Sequence, residues 1–117
     1  MKLKKLGVIA IFMSFGIFSA SASAQKTYTP AQLKGMVQSG SYPKQGSVSS
    51  KTLNLDYVSC ISKVDSIVDS IKANYPTQTV VSTNVLRIEK VWTNDAAMTL
   101  TCSAADKNLV ITTAAYL

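Results

Sequence analysis

The fold is decided by the segment DYVSCISKVDSIVDSIKANY, which spans residues 56–75. When this segment is wound at 100° per residue, eight apolar or aromatic positions fall in one stripe of about 120°, and most other positions are polar. Asp56, or Asn54 as the alternative, is placed to cap the start of a helix, and Pro76 forbids its continuation. The segment therefore predicts one long amphipathic helix, Asp56 to Tyr75, that lies on an apolar surface. The stripe consists of Tyr57, Cys60, Ile61, Val64, Ile67, Val68, Ile71 and Tyr75.

The apolar surface is predicted from the segments that flank this helix. Downstream, residues 77–93 are rich in Val, Ile, Thr and Leu, with Asn84 as a break or bulge, and residues 96–104 and 109–116 are typical of strands. Upstream, residues 47–55 fit an edge strand, and residues 29–39 fit a short helix that Gly40 ends. We expect an α+β fold, in which a short N-terminal helix precedes the long helix, packed on an antiparallel sheet of three or four strands.

The two cysteines are predicted to join the long helix to this sheet. Cys60 lies on the apolar stripe, and Cys102 shares one strand face with Met98 and Leu100 because successive strand side chains alternate. The helical and strand periodicities therefore predict that both sulfur atoms lie in the apolar interface between the helix and the sheet. A C-x-x-C redox motif is absent, so a structural disulfide is favoured over a redox pair, with free or intermolecular thiols as the remaining alternative.

Residues 86–92 do not divide cleanly into an apolar and a polar face. Trp92 shares its phase with Lys90, and Val91 shares the opposite phase with Glu89. A bulge, a covered second face or a strand end would each explain this mixture, and the pattern does not choose among them.

The first 24 residues carry the three parts of an export signal. Three lysines within the first five residues precede an apolar run of 13 residues, and Ala22-Ser23-Ala24 matches the small-residue cleavage pattern. A membrane-spanning helix needs about 20 apolar residues, which leaves an uncleaved anchor as the weaker alternative. We expect a Sec-type signal peptide at 1–24, cleaved after Ala24, and a periplasmic or secreted protein. The mature chain would comprise a short helix and Tyr-Pro loop at 25–46 and a small α+β domain at 47–117.

Half of the net positive charge belongs to that leader. The chain carries 12 Lys and Arg against 6 Asp and Glu, a net charge of +6, whereas the 93 residues after Ala24 carry nine against six. These nine are eight lysines and one arginine, spread singly without a run or stripe. Nucleic-acid-binding proteins use clustered basic residues and arginine side chains that form bidentate hydrogen bonds with bases, so we expect no nucleic-acid partner. Membrane contact is expected only through the transient signal peptide.

The residue types needed for catalysis are scarce. The chain has no histidine, the commonest general base and a frequent metal ligand, and two cysteines do not complete a structural zinc site. Ser41 and Lys44 match an S-x-x-K pattern, but Pro43 suits that helical turn poorly and the companion motifs are absent. Asp65 and Asp69 fall on the polar arc of the helix. We therefore predict a protein that is not an enzyme and needs neither cofactor nor metal.

Aromatic side chains supply the candidate recognition surface. Tyr42, Trp92 and Tyr116 exceed what the core requires, and the loop from Tyr42 to Gly46 also carries Lys44. These four side chains are predicted to bind a partner, with Tyr42 sealing an edge of the domain as the alternative. The predicted function is a small exported, non-catalytic protein-interaction module of inhibitor, immunity or envelope-accessory type. Its partner would be another envelope or extracellular protein; the alternative is a small-molecule or peptide-binding module.

Overall fold

The computed structural model of the chain describes residues 26–117, so the predicted signal peptide and its cleavage point lie outside the described residues. Two helices and five strands form an α+β fold. In chain order they are α1 (Pro30–Ser39), β1 (Gln45–Asn54), α2 (Tyr57–Ile71), β2 (Thr77–Ser82), β3 (Leu86–Trp92), β4 (Ala96–Ser103) and β5 (Asn108–Tyr116).

The five strands form one antiparallel sheet in the order β1-β5-β4-β3-β2. The prediction of three or four strands was wrong in number, because residues 77–93 contain a hairpin. Its turn is built by Thr83, whose hydroxyl accepts the N–H groups of Val85 and Leu86 at 3.2 and 2.9 Å. Such side-chain bonds to nearby backbone compete with a continuous strand and favour a turn. β1 and β2 are consequently the two edges of the sheet.

Helix α2 is shorter than its apolar stripe. Its start is as predicted, since the Asp56 carboxylate accepts the Ser59 N–H at 2.8 Å, a bond that lowers the pKa of Asp56. The predicted end at Tyr75 was wrong, because the helix stops at Ile71. Pro76 disfavours helical backbone at the residue before it, and the last turn unwinds. Tyr75 then packs against the opposite side of the sheet from α2's core.

Helix α1 matches its predicted limits. Thr29 and Gln32 form a reciprocal capping box, with backbone-to-side-chain bonds of 2.9 and 3.1 Å. Gly40 ends the helix at φ 78°, a left-handed conformation in which glycine avoids the Cβ clash of other residues.

Two cores form on the two faces of the sheet. On the face that carries α2, called here the helix face, the core comprises Cys60, Val64, Leu100, Cys102 and Leu109. A disulfide joins Cys60 of α2 to Cys102 of β4 with their Cα atoms 5.9 Å apart, which confirms the predicted bridge. On the other face, called the open face, Leu33 of α1 packs with Trp92, Ala97 and Tyr116.

The mixed pattern of β3 arises because both of its faces are covered. Its register with β4 runs without interruption from Leu86 to Trp92, so Lys90 marks no bulge there. On the open face Trp92 belongs to the core beneath α1. On the helix face Glu89 is only 5% exposed, accepts the Thr79 hydroxyl at 2.9 and 2.8 Å, and lies 3.2 Å from Arg87 Nε. Two of the three charged residues of β3, Arg87 and Glu89, are thus paired on the helix face, whereas Lys90 lies on the open face with Trp92.

The disulfide also bears on the compartment of the protein. Disulfides persist mainly in oxidising, extracellular-type environments, and Cys60–Cys102 indicates such a compartment. Across residues 26–117, neither helix combines the length and apolarity that crossing a membrane requires.

Candidate functional site

The structure brings together two of the four residues predicted to bind a partner. The rings of Tyr42 and Trp92 stack with centroids 5.4 Å apart and an interplanar angle of 16°. Tyr42 is 45% exposed, whereas Trp92 is 1% exposed and therefore presents no surface of its own. The expectation of an exposed Trp92 was wrong, because α1 and the Tyr42 ring cover it. The alternative interpretation of Tyr42, that it seals the domain, fits this packing.

Tyr116 is also buried rather than exposed, at 2%. Its hydroxyl lies 2.7 Å from the carbonyl oxygen of Thr93 and 2.9 Å from that of Ala96, so it ties β5 to the turn between β3 and β4. Burial raises the pKa of Tyr116 above its ordinary value, and the negative charge of Asp95 adds to the rise. Tyr28 packs edge-on against the ring at 5.1 Å. Tyr116 therefore acts within the fold.

Lys44 remains exposed in the loop that leads into β1. Its carbonyl oxygen accepts the Leu117 N–H at 2.9 Å, which fastens the loop to the C-terminus. The main chain of Lys44 thus has a structural role, and its side chain is free to meet a partner.

A small cleft opens beside the Tyr42–Trp92 pair. It has a volume of about 290 Å³ and is lined by Tyr42, Gln45, Gln78, Lys90 and Trp92. The Lys90 ammonium lies 5.8 Å from the centre of the Trp92 indole, a cation–π distance. The buried Nε1 of Trp92 has no hydrogen-bond partner among the described residues. Sequence reasoning missed Lys90, Gln45 and Gln78; the shared phase of Lys90 and Trp92 was the available signal.

Strand β1 presents a long uncovered edge. Of its ten residues, only Gly46 and Leu53 are even half-buried, and within residues 26–117 no strand pairs with its outer side. The Leu55 N–H donates to the Lys107 carbonyl at 3.1 Å, in register with the β1–β5 pairing. Hydrogen-bonded pairs alternate along an antiparallel ladder. Backbone polar groups therefore point outward at every second residue, which are Val48, Ser50, Thr52 and Asn54.

The two edges of the sheet differ in how well they can accept another strand. β2 has six residues, and a register shift between Thr79 and Val81 interrupts it. β1 has its irregularity at its start, between Gln45 and Val48, and then keeps an unbroken register to Asn54. Short strands and bulges protect an edge from further pairing, whereas long regular edges are pairing templates. β1 is therefore the receptive edge.

A groove lies on the helix face beside the first half of β1, and we call it the edge groove. It has a volume of about 450 Å³. Ser47, Val48 and Ser49 form its wall on the β1 side, and Thr93 and Asp95 lie at the β3–β4 turn. The remaining lining residues come from β4 and β5 and are Ala96, Met98, Thr113 and Ala115.

No constellation for metal chemistry accompanies these surfaces. In the part of the chain that the structure describes, no group of three His, Cys, Asp or Glu side chains is arranged to hold a metal ion.

Comparison of the chain with protein-family models, curated proteins and solved structures returned no match. The function is therefore inferred from the geometry of this chain.

Proposed function

We propose that the protein is an exported, non-catalytic interaction module of inhibitor, immunity or envelope-accessory type that binds an extended segment of another envelope or extracellular protein. The segment adds to the sheet as a sixth strand alongside β1. One observation carries the proposal, namely the uninterrupted run of outward-facing backbone groups from Val48 to Asn54 on an edge with no partner in residues 26–117. Strand addition to an exposed edge is a recurrent mode of peptide recognition.

The β1 edge is long enough to bind a peptide segment specifically. Seven residues in register, Val48 to Asn54, extend over roughly 23 Å at about 3.3 Å per residue. Main-chain bonds along such a stretch provide affinity, and alternate side chains provide selectivity. Lys51 is the only charged residue within β1, so the usual protection of an edge by several charges or a proline is absent there.

Two further features support an exported partner. The Cys60–Cys102 bridge indicates an oxidising compartment. The pattern of residues 1–24 matches a cleaved signal peptide and supports a mature protein that lies in the periplasm or outside the cell. The scattered positive charges after Ala24 favour a protein partner over nucleic acid.

The test separates backbone recognition from side-chain effects at one position. Thr52→Pro removes an outward N–H without removing a bond to β5, whereas Thr52→Val keeps that N–H and changes only the side chain. A displayed library of random 12-residue peptides is selected on the oxidised protein, and the enriched peptides are measured against both variants. We expect peptides that bind the wild type and Thr52→Val equally and bind Thr52→Pro at least tenfold more weakly.

The result that overturns strand addition is a set of enriched peptides that bind Thr52→Pro as tightly as the wild type. Thermal melting of Thr52→Pro serves as the folding control. If its melting temperature falls sharply, Ser50→Pro replaces it, because the N–H of Ser50 also points outward.

A second function, a small-molecule-binding module, is favoured by the cleft beside Tyr42. Lys90 and two glutamines, Gln45 and Gln78, line its 290 Å³ and bring hydrogen-bond donors beside the stacked Tyr42 and Trp92 rings. Native mass spectrometry of the protein purified from its own envelope tests this function. A retained adduct that is lost in Lys90→Ala supports it, and a bare chain in both proteins rejects it.

A further inference from the structure

We infer that the segment bound at β1 carries an apolar residue, an acidic residue and a second apolar residue at alternate positions. This inference rests on the proposed strand addition and adds the chemistry of the partner. In an added strand every second side chain stands on the helix face, directly beside Ser49, Lys51 and Leu53 of β1. These three residues pair with Thr113, Ile111 and Leu109 of β5, which fixes them on that face.

The position beside Ser49 selects an apolar side chain. Ser49 forms part of the β1 wall of the edge groove, and its small side chain leaves the way open toward Thr113 and Ala115. A long apolar side chain on the added strand leans across Ser49 and covers this groove, which Ala96 and Met98 also line. Asp95 on the rim disfavours an acidic side chain at the same position, because like charges repel.

The position beside Lys51 selects an acidic side chain. Lys51 is exposed, and no carboxylate of residues 26–117 forms an ion pair with it. A Glu or Asp directly across on the added strand places opposite charges on neighbouring strands, an arrangement that favours one register over those shifted by two residues. Lys51 therefore sets the register of the bound segment as well as its charge.

The position beside Leu53 selects a second apolar side chain. Leu53 is half-buried and packs against the core cluster that contains Cys60 and Leu109. An apolar residue next to it extends this core outward by one strand. The open-face positions of β1 after Val48 are Ser50, Thr52 and Asn54. These small polar residues do not select a particular type of side chain at the open-face positions of the added strand.

The pattern has the same order in both directions of the chain. An apolar residue lies at each end and the acidic residue in the middle, so parallel and antiparallel addition place the same three side chains beside Ser49, Lys51 and Leu53. The spacing of the three side chains and the face on which they lie are therefore the same in both directions, and a single peptide tests both.

Two capped nine-residue peptides of identical composition make the test. TSLTETLST has its acidic residue on the same face as its two leucines, and TSLTTELST has it one position later, on the opposite face. Binding is measured by ¹⁵N chemical-shift titration of the oxidised protein, following the amides of Val48 to Asn54. We expect the first peptide to bind at least tenfold more tightly than the second.

A charge exchange identifies Lys51 as the selecting residue. Lys51→Glu should weaken TSLTETLST and strengthen the version with lysine in place of glutamate, TSLTKTLST. Lys34→Glu, on the exposed surface of α1, changes the net charge by the same amount and should leave the order of the peptides unchanged. If Lys34→Glu produces the same exchange, general charge attraction explains the effect and the assignment to Lys51 is overturned.

Failure of this inference is distinguishable from failure of the proposed function. Equal binding of both nine-residue peptides at the β1 amides overturns the pattern and leaves strand addition in place. The absence of β1 shifts with either peptide also overturns the pattern. Strand addition itself falls only if the peptides enriched from the random library are indifferent to Thr52→Pro.

Discussion

Reduction of the Cys60–Cys102 bridge should remove a large share of the stability of this fold. The bridge links residues 42 positions apart, and a loop of this length restricts the unfolded chain by about 4 kcal/mol at 25 °C in the loop-entropy model. The 93 residues after Ala24 correspond to a total unfolding free energy of about 5–14 kcal/mol at roughly 0.05–0.15 kcal/mol per residue. The reduced protein should therefore retain about 1–10 kcal/mol of that free energy and melt roughly 16–30 °C lower.

Reduction is a cleaner perturbation than mutation at this site. Both sulfurs are fully buried between α2 and the sheet, among Val64, Leu100 and Leu109. Reduced thiols leave nearly the same volume filled, so the change in free energy reports the cross-link. The double variant Cys60→Ala/Cys102→Ala also removes two buried sulfur atoms, and we expect it to lose about 1–2 kcal/mol more than the reduced wild type.

Guanidinium unfolding followed by the fluorescence of the single tryptophan provides the measurement, with and without a phosphine reductant. Hydrogen exchange adds a spatial readout, because the bridge holds the first turn of α2, and exchange in Tyr57–Ile71 should accelerate most on reduction. A difference of less than about 1 kcal/mol between oxidised and reduced protein would refute the reasoning. It would mean that the reduced, unfolded chain already keeps enough residual structure to restrict it as much as the cross-link does.

Three further variants test the packing described above. Glu89→Gln should lower the unfolding free energy by about 2 kcal/mol in urea titrations, since a buried charge-assisted bond is lost, whereas Asp69→Asn on the exposed surface of α2 should leave it unchanged. Because folding raises the pKa of Tyr116, its contribution is intact below the ordinary value of 10.0 and is lost as the pH rises above it. Tyr116→Phe should therefore flatten the alkaline branch of a melting-temperature profile, and an unchanged slope contradicts that role. Tyr42→Ala should shift Trp92 emission to longer wavelength, and an unshifted spectrum would show that Tyr42 does not shield the indole.

The bridge was predictable because two periodicities, each local, agreed on it. The 3.6-residue repeat placed Cys60 on the buried stripe of the helix, and the two-residue repeat placed Cys102 on the apolar face of a strand. Neither prediction depended on the strand order. The cap at Thr29 and the stop at Gly40 were predictable for the same reason, because capping depends on neighbours within a few residues.

The burial of Trp92 was not predictable, because it depends on a segment about fifty residues earlier in the chain. Only the crossing of α1 over the open face, and the stacking of Tyr42, remove the indole from solvent. Glu89 is a similar case: it is isolated in sequence, and its partner Thr79 reaches it only through the β2–β3 register. Side-chain environments that depend on strand pairing across the sheet leave little mark on the local sequence pattern.

The position of β1 in the chain has a consequence for the order of folding. β2 to β5 form by successive hairpins between neighbours, whereas β1 pairs with the last strand, placing Gln45 opposite Tyr116 and Asn54 opposite Asn108. Long-range pairings require the closure of large loops and form late. The exposed edge of β1 therefore exists only after β5, the last strand, has formed and paired with β1. A chain that is cut near its end should offer no β1 template, so the proposed strand addition would require the completed fold.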